Sequence, residues 1–417
     1  MSHPSQPMHR SLRFENLESK EVLSGNVLVS LSGSSVFIEG DVDDNQIEIS
    51  EVGTNMIQVA GLGTTTINGL TTPVVISPPV AGAIDHILAK MRDGDDLVRV
   101  VDLDLTYTPS GILEIYTETG NDRVALNSVK TSQSIKIDTG EHNDKVRSIH
   151  TKTKHHEVHT GNGHDSAASL NFVTSVMTST SLEGDDRVYM RSGGVWNSLE
   201  AQTGPQNDKV VIRDVSVTGD SLIDTDTFDN ANGIDYVRVS GFTSTGDLDI
   251  RSGLNDDSVR VVASQIGQHL IIDTSQSNNA SGDDQVFIRQ STVGGYVSVQ
   301  TGGGEDLLRI QGLFITLDLK AVTGAGDDTV GISNVVARNV GLITAEGKDK
   351  AKFYSVHTNI FLQVYMGADD DQFGILYSSS GVDPEFDGGS ADDIFYLNTN
   401  YFPNPSDSYS VNFEAFL

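Results

Sequence analysis

Apolar and polar residues alternate along most of this chain, in short runs of strand length. Val98/Val100, Val124/Leu126, Val210/Ile212, Val259/Val261, Leu308/Ile310 and Phe395/Leu397 are apolar pairs two residues apart. A period of two belongs to a strand with one buried face. Each of these pairs falls two and four positions after an aspartate. A second set falls five and three positions before a glycine: Leu199/Ala201 before Gly204, Leu248/Ile250 before Gly253, Val297/Val299 before Gly302 and Leu362/Val364 before Gly367. The pattern predicts repeating pairs of short strands joined by turns, with no helix.

The anchor aspartates are Asp96, Asp122, Asp144, Asp165, Asp186, Asp208, Asp235, Asp257, Asp284, Asp306, Asp328, Asp349, Asp371 and Asp393. They recur every 21–22 residues, with three longer steps before Asp122, Asp235 and Asp284. Every anchor has a glycine two or four positions earlier, and Thr160 to Asp165, Thr301 to Asp306 and Thr323 to Asp328 read Thr-Gly-x-Gly-x-Asp. Glycine suits a sharp corner that calls for positive φ.

A unit this short cannot bury its own apolar face, so successive units must stack. The expected fold is all-β: a single-stranded parallel β-helix, or β-solenoid, of about 14 coils with two main sheets. A right-handed coil follows from the usual hand of parallel crossovers. Thirteen steps of about 4.8 Å span roughly 60 Å, and the longer steps are expected as loops at one edge. The expected layout is a polar leader over 1–25, a strand-rich N-terminal cap over 26–90, repeats over 91–397 and a C-terminal cap over 398–417. The cap segment carries alternating strands and Pro73, Pro78 and Pro79; the tail carries Phe402, Phe413, Phe416 and Leu417. Caps are needed because an open strand edge templates aggregation.

Composition narrows the function classes. Lys and Arg number 27 against 58 Asp and Glu, a net charge of −31. That balance disfavours nucleic acid and anionic membranes as nonspecific partners. No apolar run is long enough for a transmembrane helix. The absence of cysteine removes disulfides, thiolate nucleophiles and cysteine metal sites.

The segment Leu12-Arg13-Phe14-Glu15-Asn16-Leu17-Glu18-Ser19-Lys20-Glu21-Val22-Leu23-Ser24 has no apolar signal-peptide core. It resembles the N-terminal element of planctomycete-type exported or surface proteins, matching at Arg13, Glu15, Leu17, Glu18, Leu23 and Ser24 and departing at Ser19 and Glu21. The resemblance implies sorting to the envelope, and so a cell-surface or extracellular location.

The glycine-aspartate turns resemble the calcium repeats of repeats-in-toxin proteins, Gly-Gly-x-Gly-x-Asp-x-apolar-x. The resemblance implies that Asp306 and Asp328, with carbonyls of their glycine turns, could hold Ca²⁺ between rungs. Gly388-Gly389-Ser390-Ala391-Asp392-Asp393 matches except at Ala391. Extended along the column, the candidate ligands are Asp96, Asp165, Asp186, Asp257, Asp284, Asp306, Asp328, Asp371 and Asp393. This chain has one such turn per coil where the toxin repeat has two, so a single ion column is the most it allows. The physical pressure is repulsion: two carboxylates about 4.8 Å apart repel by roughly 3.5 kcal/mol at an effective dielectric of 20. Calcium would relieve it, and doublets such as Asp95-Asp96 and Asp327-Asp328 would add oxygens. Backbone hydrogen bonds to the turn carboxylates, with basic residues such as Arg99, Arg123, Lys145, Arg147, Arg187, Arg213, Arg238, Arg260, Arg289 and Arg309 alongside, would relieve it without metal.

His155, Glu157 and His159 share one strand face and are zinc-compatible, or simply a solvated patch. The same register turns His156 inward, an awkward position that suggests a local bulge. Trp196 could stack on sugar or pack at an edge. No nucleophile elbow or phosphate loop is present. The composite expectation is a non-enzymatic, acidic, structural or adhesive solenoid with a surface glycan or matrix protein as partner. The alternative is a β-helical polysaccharide lyase or hydrolase, with an acid/base pair near Asp122, Asp235 or Asp284.

Overall fold

A computed structural model describes residues 25–78, 82–226, 233–275, 282–382, 384–402 and 415–416. The leader and most of the C-terminal tail, Phe413 and Leu417 among them, lie outside the described residues, as do the extra residues of the steps before Asp235 and Asp284.

The described chain is all strand and turn, coiled into a parallel β-solenoid of about 14 turns. The strand after each aspartate pairs with its counterparts one coil away, so that Val98, Val124 and Val146 are direct neighbours, as are Val286, Leu308 and Val330. The strand before each glycine turn forms the second main sheet, with Ile115, Ile137 and Val158 in register. Strict register keeps the period-two faces aligned. The inward residues are buried from Val98 to Phe395. The apolar core comprises two clusters, one from Val27 to Ala167 and one from Phe172 to Phe402.

Between the two main sheets runs a narrow third one. Leu103–Leu105 of the strand Leu97–Leu105 pairs with Val129–Thr131, and the same short pairing recurs at Thr243–Ser244, Gln265–Ile266 and beyond. What bends the chain from the first sheet into it is one left-handed residue, always six positions after the aspartate. Asp102, Ser128, His150, Asn171, Ser192, Asp214, Ala263, Gln290, Asn334, Ser355, Tyr377 and Thr399 have φ between 49° and 57°, and Gly241 and Gly312 fill the same corner.

The glycine turns are fixed by close approach between coils. Gly324 has φ +88°, and a Cβ there would meet the carbonyl oxygen of Gly302 at 1.5 Å; Gly326 has φ +131° and a similar clash with Gly304. A side chain at either glycine would displace the carbonyl stacked against it.

The N-terminal region closes the solenoid with antiparallel pairs. Asn26–Ser32 pairs with Ser35–Glu39, and Gln46–Gly53 with Met56–Gly61. Gln46–Gly53 also lies parallel to Leu97–Leu105 and so serves as the first rung of the main sheet. At the other end Phe353, Phe373, Phe386, Phe395 and Phe402 pack ring against ring at 5.2–6.2 Å. No helix of the described residues is long and apolar enough to cross a membrane.

Candidate functional site: a buried aspartate ladder

All fourteen anchor aspartates, including the nine candidate calcium ligands, stand in one column with exposures of 0–3 %. Their chemistry is set by the turn. In every rung the backbone N–H of one anchor donates to Oδ1 of the next: Asp96 to Asp122, Asp122 to Asp144, and so on to Asp371 and Asp393, at 2.7–2.9 Å throughout. Asn45 starts the column, its N–H donating to Asp96 at 2.7 Å while its side-chain amide caps the carbonyls of Asp41 and Asp43. The aspartate column is therefore a vertical hydrogen-bond ladder that locks each coil to the next.

The doublets belong to a second, exposed ladder that runs in the opposite sense. The N–H of Asn121 donates to Asp95, His164 to Asn143, Asp185 to the ring of His164, Asp283 to Asp256, Glu305 to Asp283 and Lys348 to Asp327. Inner residues accept from the coil before, outer residues from the coil after. The doublet carboxylates expected as extra ion ligands are thus engaged with amides.

The inner carboxyls are costly to ionise. Burial, reinforced by the charge of neighbouring aspartates, pushes Asp96, Asp165, Asp328 and Asp371 up to about 8 and Asp257 up to about 10. Burial likewise takes Asp284 to about 8, Asp208 to about 9, and Asp122, Asp186 and Asp306 to about 6. Asp144 and Asp235 rise to about 7, while Asp349 and Asp393 are raised as well.

The second oxygen explains how a neutral carboxyl fits. Oδ2 of Asp96, Asp165, Asp257, Asp328 and Asp371 is buried with no hydrogen-bond partner among the described residues. A threonine or serine hydroxyl stands beside most of these carboxyls, as at Thr117, Thr139, Thr160, Ser252 and Thr323. The hydroxyls of Thr117 and Thr139 donate to the carbonyl of the residue stacked above, at 3.2 and 3.3 Å. Their lone pairs remain open to a proton on Oδ2. At Asp284 and Asp306 the hydroxyls of Thr274 and Thr301 lie directly against Oδ2, the former at 2.6 Å.

Calcium asks for six to eight oxygens around one point. Here one oxygen of each carboxyl faces an amide, and the other is unpartnered, as at Asp96 and Asp257, or meets a single hydroxyl, as at Asp284 and Asp306. Among the described residues no group of three or more His, Asp or Glu side chains converges as a metal site would need. The donor set does not match calcium coordination.

The remaining candidates separate. His155, Glu157 and His159 face outward as the register required, with His159 Nε2 3.9 Å from Glu157. His156 is wholly buried in regular pairing with Ile135 and Met177, and burial lowers it to about 4, so the expected bulge is absent there. A register shift does occur nearby, between Thr174 and Val176. Trp196 is 67 % exposed rather than packed at an edge. Asp122, Asp235 and Asp284 lie inside the buried ladder.

Comparison with protein-family models, with curated proteins and with solved structures finds no match.

Proposed function

We propose that this protein is a non-enzymatic structural or adhesive rod, displayed at the cell surface or outside the cell. The observation that carries this reading is uniformity: the ladder repeats through fourteen aspartates without a break. A catalytic centre needs one place unlike the rest. The carboxyls nearest the three long steps, where an acid/base pair was expected, instead accept the amides of Asp96, Asp208 and Asp257 within the ladder. The leader's resemblance to exported planctomycete-type proteins supports the location. Calcium is implied by the repeats-in-toxin resemblance alone, and chelation tests it.

The test is a turnover assay on a polysaccharide panel, paired with cell fractionation of a tagged full chain. Surface or medium localisation with no release of reducing ends or unsaturated sugars is the expected result. Cytoplasmic retention or saccharide cleavage would replace this reading with another.

A further inference from the structure

The outward face of the sheet that follows each aspartate carries a charge opposite to that of the whole molecule. Its side chains stand one, three and five positions after each anchor. From Asp96 onward these positions hold fourteen of the chain's 27 Lys and Arg and none of its 58 Asp and Glu. The central column alone contributes Arg99, Arg147, Arg238, Arg260, Arg309 and Lys352. All fourteen are exposed except Arg260, which is half-buried. Balancing the charge of the turns would pair these cations with carboxylates. Only Arg99, 3.3 Å from Glu48, and Arg213, 3.3 Å from Asp214, have one within ion-pair distance among the described residues.

Aromatic rings are interleaved with the cations. Lys209 and Arg260 stand over Tyr236, and Arg260 and Arg289 over Phe287, at 5.0–5.8 Å. These contacts hold the cationic heads against the sheet instead of leaving them loose in solvent. Toward the C-terminal end, Gly331 and Gly374 take central-column positions and remove side chains from the face. The result is a hollow of about 410 Å³ walled by Arg309, Lys350, Lys352 and Tyr396. A second hollow adjoins it beside Arg289 and Tyr354.

We propose that this face is a binding track for an extended anionic polysaccharide, its carboxylate or sulfate groups met by the arginine and lysine columns and one sugar ring seated against Tyr396. Charge complementarity selects an anion. Rungs about 4.8 Å apart suit a linear polymer that runs along the rod. Away from this face the sequence holds 13 Lys and Arg against 44 Asp and Glu besides the fourteen buried anchors, a balance that repels a dense phosphate backbone. This inference rests on the adhesive-rod reading and names its partner class.

The test is binding of the full chain to alginate, dextran sulfate, neutral dextran and a single-stranded oligonucleotide at about 50 mM salt, repeated at about 500 mM. Alginate or dextran sulfate should bind, and salt should weaken the binding; which of the two binds tells carboxylate from sulfate recognition. The triple variant Arg309→Glu/Lys350→Glu/Lys352→Glu should lose roughly tenfold or more in affinity. A control, Lys136→Glu/Lys320→Glu on the opposite sheet, should bind as the parent does. An unchanged melting temperature in both variants shows that the coil is intact. The proposal is overturned by absence of anionic-glycan binding, by binding the triple variant retains, by preference for the oligonucleotide, or by self-association of rods in low salt that charge reversal abolishes. Cleavage of a bound glycan would instead remove the non-enzymatic reading and leave the track standing.

Discussion

The amide of Asp235 donates to the carboxyl of Asp257 over 2.8 Å, and that carboxyl is the one burial pushes furthest, up to about 10. The bond needs an acceptor oxygen and has no need of a charge. Asp257→Asn keeps the oxygen and removes the ionisable group, so it should fold as the parent does and melt higher than the parent at about pH 9. Asp257→Ala strands the Asp235 N–H in the interior, which costs about 1–3 kcal/mol. Denaturant melts of the two variants decide the matter. An asparagine variant as damaged as the alanine one would mean that the negative charge itself is required.

Stability should rise on acidification across the neutral range. The ladder carboxyls have folded-state values above that of the unfolded chain, so the native protein holds more protons than the unfolded one between the two. Their contribution is fully present below about pH 4 and is lost as pH climbs through about 6 to about 10. His156 acts in the opposite direction: buried and neutral down to about 4, it lowers stability as pH falls from its ordinary value toward that figure. With many carboxyls against one histidine, the melting temperature should fall by on the order of 10 °C from pH 5 to pH 9. A melting curve independent of pH would show that the column does not change protonation on folding.

Metal removal separates protons from calcium as the neutralising agent. With the ladder closed by amides and protons, EDTA should leave the melting temperature and circular dichroism unchanged at about pH 6. Added Ca²⁺ should have no effect below millimolar concentrations, the weak end of calcium affinities. A chelator-dependent loss of the β signal would return calcium to the buried column.

Much of this was legible in the sequence because stacking makes each coil repeat its neighbour. The spacing of Asp96 through Asp393 and the apolar pairs after them located the two main sheets and the aspartate column. The bond each aspartate makes was harder to read, since a carboxylate beside glycines suits calcium as well as an amide. The choice depends on Oδ1 lying 2.8–2.9 Å from the N–H of Asp306 or Asp349, which only the three-dimensional arrangement shows. The narrow third sheet left a fainter trace. Its corner residue is glycine only at Gly241 and Gly312, while Ser128, His150, Gln290 and Tyr377 adopt the same φ with no compositional signal. The basic face was visible as recurring arginines, but its lack of carboxylates became significant only once the columns were aligned.

Ala263 sits at φ +50° in a position that Gly241 and Gly312 fill elsewhere in the same column. A left-handed L-residue costs roughly 1–2 kcal/mol, and glycine escapes that penalty while losing about 0.5–1 kcal/mol to unfolded-state entropy. Ala263→Gly should therefore stabilise the coil by up to about 1 kcal/mol. Ala263→Val should destabilise it, because branching at Cβ makes positive φ harder still. The pair is informative because the two substitutions change side-chain volume in opposite directions from alanine. Simple loss of packing would make the glycine variant the weaker one. If the valine variant melts above the glycine variant, packing outweighs backbone strain, and the left-handed corner is not what sets the stability of the bend between the first sheet and the narrow one.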